Sequence, residues 1–335
     1  MAERSVDLDA FLARCGLAAA PRAPLAGDAS FRRYLRVADG AARYVVMDAP
    51  PPHEDVRPFL RVARHLRALG LSAPEILAAD EAAGFLLLED FGDTTFTRAL
   101  AAGHDEAALY ELATDALIAL QTHPRATAID LPRQDAAMLA DDGAALFVDW
   151  WLPEATGRAT PPDLRAEYLA LWRAALAPAL ELPATLALRD FHVDNLMVLE
   201  GRAGVARCGL LDFQDAAIGS PAYDLISLLE DSRRDVSPAV ADAMRARHRA
   251  AWAHLPAAEF ARAQATLAAA RHARIVGLWI RLWRRDGKPG YLGFLPRSWR
   301  QLESALRHPA LADLRDWFGR HAPAATRRVA GGGER

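Results

Sequence analysis

Among 335 residues there is one lysine, Lys288, so apart from the histidines almost every basic side chain is an arginine. A mechanism built on a buried catalytic lysine therefore has almost nothing to draw on. Cysteine is equally scarce: Cys15 and Cys208 lie far apart, which excludes a disulfide framework and a cysteine-based zinc site and makes a reducing cytosol the default. There is no excess of positive charge, since 40 Lys plus Arg face 43 Asp plus Glu for a formal charge of -3, and so no global field to hold nucleic acid or an anionic membrane. Long apolar runs are missing too, being broken by Arg, Asp or Pro before the roughly 20 residues that a membrane span needs. No basic stretch followed by an apolar core opens the chain, which argues against a secretory signal. What is present is 52% hydrophobic and 25% charged, a composition that excludes long-range disorder and, at this length, allows one large domain or two packed lobes. The expectation is a soluble, cytoplasmic, monomeric protein with neither nucleic acid nor membrane as partner.

Local patterns divide the chain. A short amphipathic helix is expected around Val6–Leu12, ending near Cys15-Gly16. Phe31–Val37 and Arg43–Asp48 are rich in aromatic and β-branched residues around the turn Ala38-Asp39-Gly40, and predict a β-hairpin. Val56–Leu69 has helical spacing, and Pro74–Asp80 and Gly84–Glu89 read as two more strands. From Thr95 onward, segments around 105–123, 133–152, 163–180, 238–254, 257–284 and 297–306 favour helix, with a β-like island at 185–213. The fold class is thus α+β: an N-terminal lobe over 1–91 built of a small sheet and a helix, a larger helical lobe over 92–325, and a frayed tail over 326–335.

The most informative stretch is Leu188-Arg189-Asp190-Phe191-His192-Val193-Asp194-Asn195, with Asp212 at the end of the next apolar run, seventeen residues past Asn195. An Asp and an Asn five apart on a loop, with a further Asp ending the next strand, can turn three oxygen ligands into one cleft. Hard divalent metals bound by phosphates need such oxygens, and a nucleophilic hydroxyl needs one carboxylate left to accept its proton. Taken singly, each of these residues reads equally as a turn or cap.

This run resembles the catalytic loop and metal-binding Asp of the kinase-like phosphotransferases, the superfamily of aminoglycoside and choline kinases. Gly27–Tyr34 stands in the phosphate-loop place, Leu86–Gly92 at the hinge that meets adenine, and Gly219–Leu225 in the segment after the metal Asp. Together, G-D-A-S-F-R-R-Y, Y-V-V-M-D-A-P-P-P, L-L-L-E-D-F-G and L-D-F-Q-D-A resemble the bacterial anomeric sugar kinases, which phosphorylate the C1 hydroxyl of N-acetylmuramate and N-acetylglucosamine in cell-wall recycling. The resemblance covers residues 5–320 and implies a bilobal protein-kinase-like fold with the nucleotide between the lobes. It implies ATP and Mg²⁺ as cofactors, Asp190 as catalytic base, Asn195 and Asp212 as metal ligands, and Asp28, Ser30, Arg32, Arg33 and Glu89 at the nucleotide. An amino sugar is the implied substrate, with His192, Asp194, Trp150, Trp279 and Arg281 as candidate contacts.

Two departures stand out. The strand that usually supplies a phosphate-binding lysine carries Met47, and Leu188 stands where a loop histidine is common. Arg32 and Arg33 are the nearest substitutes for the missing cation, but strand alternation sends them to opposite faces, so at most one faces the nucleotide. Asp224 reads as an N-cap for the following helix. An aminoglycoside or amino-alcohol kinase of the same fold, and a nucleotide-binding pseudokinase, are the competing readings.

Overall fold

The computed structural model describes residues 2–25 and 31–327. Asp28 and Ser30, and the tail from 328 onward, lie outside the described residues. In chain order the structure runs α1 (Ala2–Arg14), β1 (Arg22–Pro24), β2 (Arg33–Asp39), β3 (Ala42–Asp48), α2 (Arg57–Ala68), β4 (Ile76–Asp80), β5 (Phe85–Glu89), α3 (Phe96–Ala101) and α4 (Glu106–Thr122). It continues with α5 (Leu152–Thr156), α6 (Pro162–Ala179), β6 (Thr185–Ala187), β7 (Leu196–Val198), β8 (Cys208–Leu210), β9 (Ala217–Gly219), α7 (Ala222–Leu229), α8 (Pro238–Ala251), α9 (Ala257–Asp286), α10 (Leu295–Leu306) and α11 (Ala312–His321). The class is α+β, with strands concentrated early and helices late.

The chain packs as two compact units. The first takes the chain up to Arg125 together with Val193–Ala216, and so includes the β7–β8 hairpin; the second takes Ala126–His192 and the chain from Ala217 onward. In the first unit, five strands form an antiparallel sheet in the order β1-β2-β3-β5-β4. Alternation divides its residues between two faces. Val37, Val46, Phe85 and Leu87 point to one face and are covered by Leu8, Phe11 and Leu12 of α1, with Phe11 stacked on Phe85. Tyr34, Arg36, Val45 and Leu88 point to the other and line a cavity. Arg33 has the parity of the α1 face: its guanidinium lies 2.6 Å from Asp48, which also takes Arg4 of α1.

The second unit is held by a large apolar core in which Phe147, Trp151, Tyr168, Trp299, Trp317 and Phe318 pack ring against ring. Each such side chain, once fully buried, contributes about 1.5–3 kcal/mol. The expected helix over 133–152 forms but winds as π-helix at Ala137–Ala144 and Phe147–Trp151. Between these two segments lies the Leu146–Phe147 peptide, and α9 crosses it at Gly277, where an added Cβ would fall 2.1 Å from the Leu146 carbonyl oxygen. Only glycine leaves room for the two backbones to cross this closely. Gly277→Ala is expected to destabilise the fold by about 1–3 kcal/mol through overpacking. Urea unfolding checks this: a midpoint equal to that of the parent contradicts the close crossing.

Candidate active site

Register brings the predicted metal ligands together. In the β7–β8 hairpin Leu196 pairs with Leu210, Met197 with Gly209 and Val198 with Cys208. The residues just outside the ladder, Asn195 and Leu211, are then joined by Leu211 N–H donating to the Asn195 carbonyl at 2.9 Å. Asp212 follows directly, and Asn195 Nδ2 donates to its Oδ2 at 3.3 Å. Gln214 Nε2 donates to Asp212 Oδ1 at 2.8 Å. Asp212 has φ 55°, a left-handed conformation that costs a non-glycine residue about 1–3 kcal/mol. It is stabilised on its C-terminal side by Phe213, fully buried and packed on Phe59 of α2 at 4.8 Å. Gly209 is required in the hairpin because a Cβ there would meet the Phe91 ring at 2.9 Å.

Asn195 and Asp212 line the same cavity, of about 340 Å³, as Tyr34, Arg36, Val45 and Glu89. The cavity has an apolar wall from the sheet and a polar end at the hairpin. The donor set, one carboxylate and one carboxamide, suits a hard divalent ion that takes most of its oxygens from phosphates and water. Among the described residues no cluster of three or more His, Cys, Asp or Glu forms a metal cage. Glu89 meets two arginines through its carboxylate, Arg202 and, at 3.6 Å, Arg67. Arg36, which the sequence did not single out, clamps the hinge: it binds Asp90 through Nε at 2.6 Å, Asp93 at 2.9 Å and the Gly92 carbonyl at 3.0 Å. The signal was the acidic pair on either side of Phe91-Gly92 together with an arginine in mid-strand on β2. Arg32 Nη2 lies 3.5 Å from Asp212 Oδ1, whereas Arg33 belongs to the opposite face of the sheet.

In the second unit β6 pairs antiparallel with β9 and delivers the chain to Leu188 and Arg189. Their N–H groups donate to the two carboxylate oxygens of Asp224, at 2.6 and 2.8 Å. Asp224 is fully buried inside α7, whose cap residue is Pro221, so its expected role as N-cap is corrected: it holds the loop, not the helix end. Burial pushes its carboxyl up to about 6, against the lowering effect of these two backbone bonds. Arg189, at φ 71°, is thus fixed in a left-handed conformation that turns the next residue, Asp190. Burial raises the Asp190 carboxyl, but the guanidinium groups of Arg274 and Arg271, with His192 and Arg189, outweigh that and hold it below the ordinary carboxylate value. The His192 imidazole is likewise pushed below its ordinary value, first by burial and then by Arg233, and is neutral at physiological pH.

The remaining candidates are placed as follows. Asp194 accepts a hydrogen bond from Thr97 Oγ1 at the start of α3. Trp150 is half-buried against the core of the second unit. Trp279 is 2% exposed, its ring stacked on Tyr291 and its Nε1 donating to Ser298 Oγ at 3.1 Å, which makes it a core residue. Arg281 is half-buried, and burial together with Arg285 and Arg274 lowers its guanidinium from the usual value.

The model of the phosphotransferase enzyme family matches residues 22–260. A protein of Caulobacter vibrioides named N-acetylmuramate/N-acetylglucosamine kinase is 38% identical, with 97% of this chain and 99% of that protein covered. A Pseudomonas aeruginosa protein of the same name is 41% identical over 87% of this chain and 86% of its own. Among solved structures, a choline/ethanolamine kinase family protein from Mesorhizobium loti superposes with a TM-score of 0.61 at 18% identity, covering 93% of this chain and 99% of that one.

The field around Asp190 is testable by titration. Arg274→Met removes the largest attractive charge and is expected to move the Asp190 carboxyl to higher pH, read as its carbon NMR signal and assigned with Asp190→Asn. An unshifted titration contradicts the electrostatic assignment.

Proposed function

The chain belongs to the phosphotransferase enzyme family, and from that premise we propose that it transfers the γ-phosphoryl group of ATP to the anomeric hydroxyl of N-acetylmuramate or N-acetylglucosamine. The setting would be peptidoglycan recycling in the cytoplasm. The observation that carries the reading is the pairing of Asn195 with Asp212 at the polar end of the sheet cavity. Adenine would lie against Val45 and Leu88 and meet the backbone of the hinge, because the Glu89 carboxylate is engaged by arginines. Asp28 and Ser30 would line the phosphates from the loop before β2.

Mg²⁺, when bound, supplies neutralising charge to the β- and γ-phosphate oxygens. Asp212 and Asn195 would hold it there. Asp190, kept ionised by its arginine neighbours, would orient the sugar hydroxyl and take its proton. As the sugar oxygen bonds to the γ-phosphorus, the bond to the bridging oxygen breaks and ADP leaves. His192 shapes the loop as a neutral ring, and Asp194 ties it to α3. Arg281 and Trp150 are the sugar contacts we favour: a guanidinium beside other arginines suits the lactyl carboxylate, and an indole face suits a pyranose. That cationic setting argues against a polycationic aminoglycoside as acceptor.

A panel of amino sugars, choline and aminoglycosides incubated with ATP and Mg²⁺, with products read by mass spectrometry, tests the assignment. Phosphorylated amino sugar is expected. Asp190→Asn is expected to lower kcat by about 10²–10⁴-fold while leaving nucleotide affinity unchanged. Phosphorylation of choline or an aminoglycoside alone, or full turnover by Asp190→Asn, overturns it.

A further inference from the structure

Met47 occupies a position on β3 where a cation would meet phosphates, and it is 1% exposed, with a side chain that carries no charge. The same face of the sheet carries a cation from a different place. Arg32, one residue before β2, shares the parity of Tyr34 and Arg36 and so belongs to the cavity face, while Arg33 turns to Asp48 on the other. Its side chain is 12% exposed and is bracketed by two carboxylates: Asp212 Oδ1 at 3.5 Å from Nη2 and Glu54 Oε2 at 4.0 Å from Nε. Glu54 sits in the turn that precedes α2, and its other oxygen accepts the Phe31 N–H at 3.0 Å. The ring of Phe31 also stacks on His53, with centroids 5.0 Å apart. The segment Phe31–Arg32 is therefore gripped through backbone, side chain and ring by His53 and Glu54.

We propose that Arg32 is the phosphate-binding cation of this chain, standing in for the lysine absent at Met47, and that Glu54 is its positioning residue. This rests on the reading of the cavity as a nucleoside triphosphate site. The geometry explains the division of labour. A guanidinium has a fork of donors, so Nε can stay with Glu54 while the two Nη groups turn to phosphate oxygens. Glu54 also has an electrostatic task. Its charge offsets the pull of Asp212, which is the nearer carboxylate at 3.5 Å against 4.0 Å, and without it the guanidinium is drawn further onto Asp212, where it competes with the divalent ion. Loss of Glu54 should therefore raise the Mg²⁺ concentration needed for triphosphate binding, which a residue that only packs would not do.

The test is equilibrium binding to the full chain of a fluorescent non-hydrolysable ATP analogue and, separately, of adenosine, each across a Mg²⁺ titration. Arg32→Met is expected to weaken the triphosphate by about 10- to 100-fold, the worth of charged hydrogen bonds, and to leave adenosine unchanged. Arg32→Lys should recover part of that loss. Glu54→Gln should weaken the triphosphate less than Arg32→Met and shift its Mg²⁺ half-saturation upward, again with adenosine unaffected. Triphosphate affinity unchanged in Arg32→Met overturns the assignment of Arg32, and an unmoved Mg²⁺ half-saturation in Glu54→Gln overturns that of Glu54. Equal loss of adenosine and triphosphate in both Arg32 variants also overturns it, since a phosphate cation does not touch the base. Failure of the unmodified chain to bind either ligand instead overturns the nucleotide reading beneath it.

Discussion

Two backbone N–H groups converging on one buried carboxylate set the geometry of the loop that leads to Asp190. Asp224 could not remain charged inside α7 without partners, because an isolated buried carboxylate pays a desolvation cost of several kcal/mol. Leu188 and Arg189 supply those partners, and the bonds hold Arg189 in a left-handed conformation that costs a non-glycine residue energy. Asp190 follows directly, so the turn at Arg189 sets where its backbone enters the loop. With a carboxyl raised to about 6, Asp224 is still ionised in neutral solution, and the bonds that hold the loop are charge-assisted.

Arginine replaces lysine throughout this design, and the replacement has structural consequences. A lysine acts as a mobile point charge, whereas a guanidinium needs its fork filled. Arg36 fills it with the hinge carboxylates, Arg32 with Glu54 and Asp212, and Arg33 with Asp48. Around Asp190, Arg271 and Arg274 provide a field that keeps a half-buried carboxylate ionised. The same positive character extends along α9 to Arg281, whose neighbours Arg285 and Arg274 add to the effect of burial.

Much of this was legible in the sequence for a simple reason: the informative residues sit on short, regular elements. The strands around the 38–40 turn and the helix from Arg57 follow from alternation and period, and the spacing of Asn195 and Asp212 becomes contact through a three-residue hairpin register. Alternation also limited Arg32 and Arg33 to one side chain on the cavity face of the sheet, but the choice between them depended on Asp48 and Arg4, which no local pattern couples to them. Asp224 was misread as a cap because its true partners lie 35 and 36 residues earlier in the chain. Trp279 could not be sorted into core or cleft because α9 is buried on most of its circumference, so periodicity does not mark a solvent face. Nor does apolar spacing distinguish π from α winding around Leu146, where the constraint comes from the backbone of a helix more than a hundred residues later.

The most direct test of the central claim is where the transferred phosphorus ends up. Phosphorus NMR of the product formed from N-acetylmuramate or N-acetylglucosamine with ATP and Mg²⁺ should show a resonance coupled to the anomeric proton, marking a C1 phosphate. A resonance coupled instead to the C6 protons, or no sugar phosphate at all while ATP is consumed on another acceptor, would contradict it.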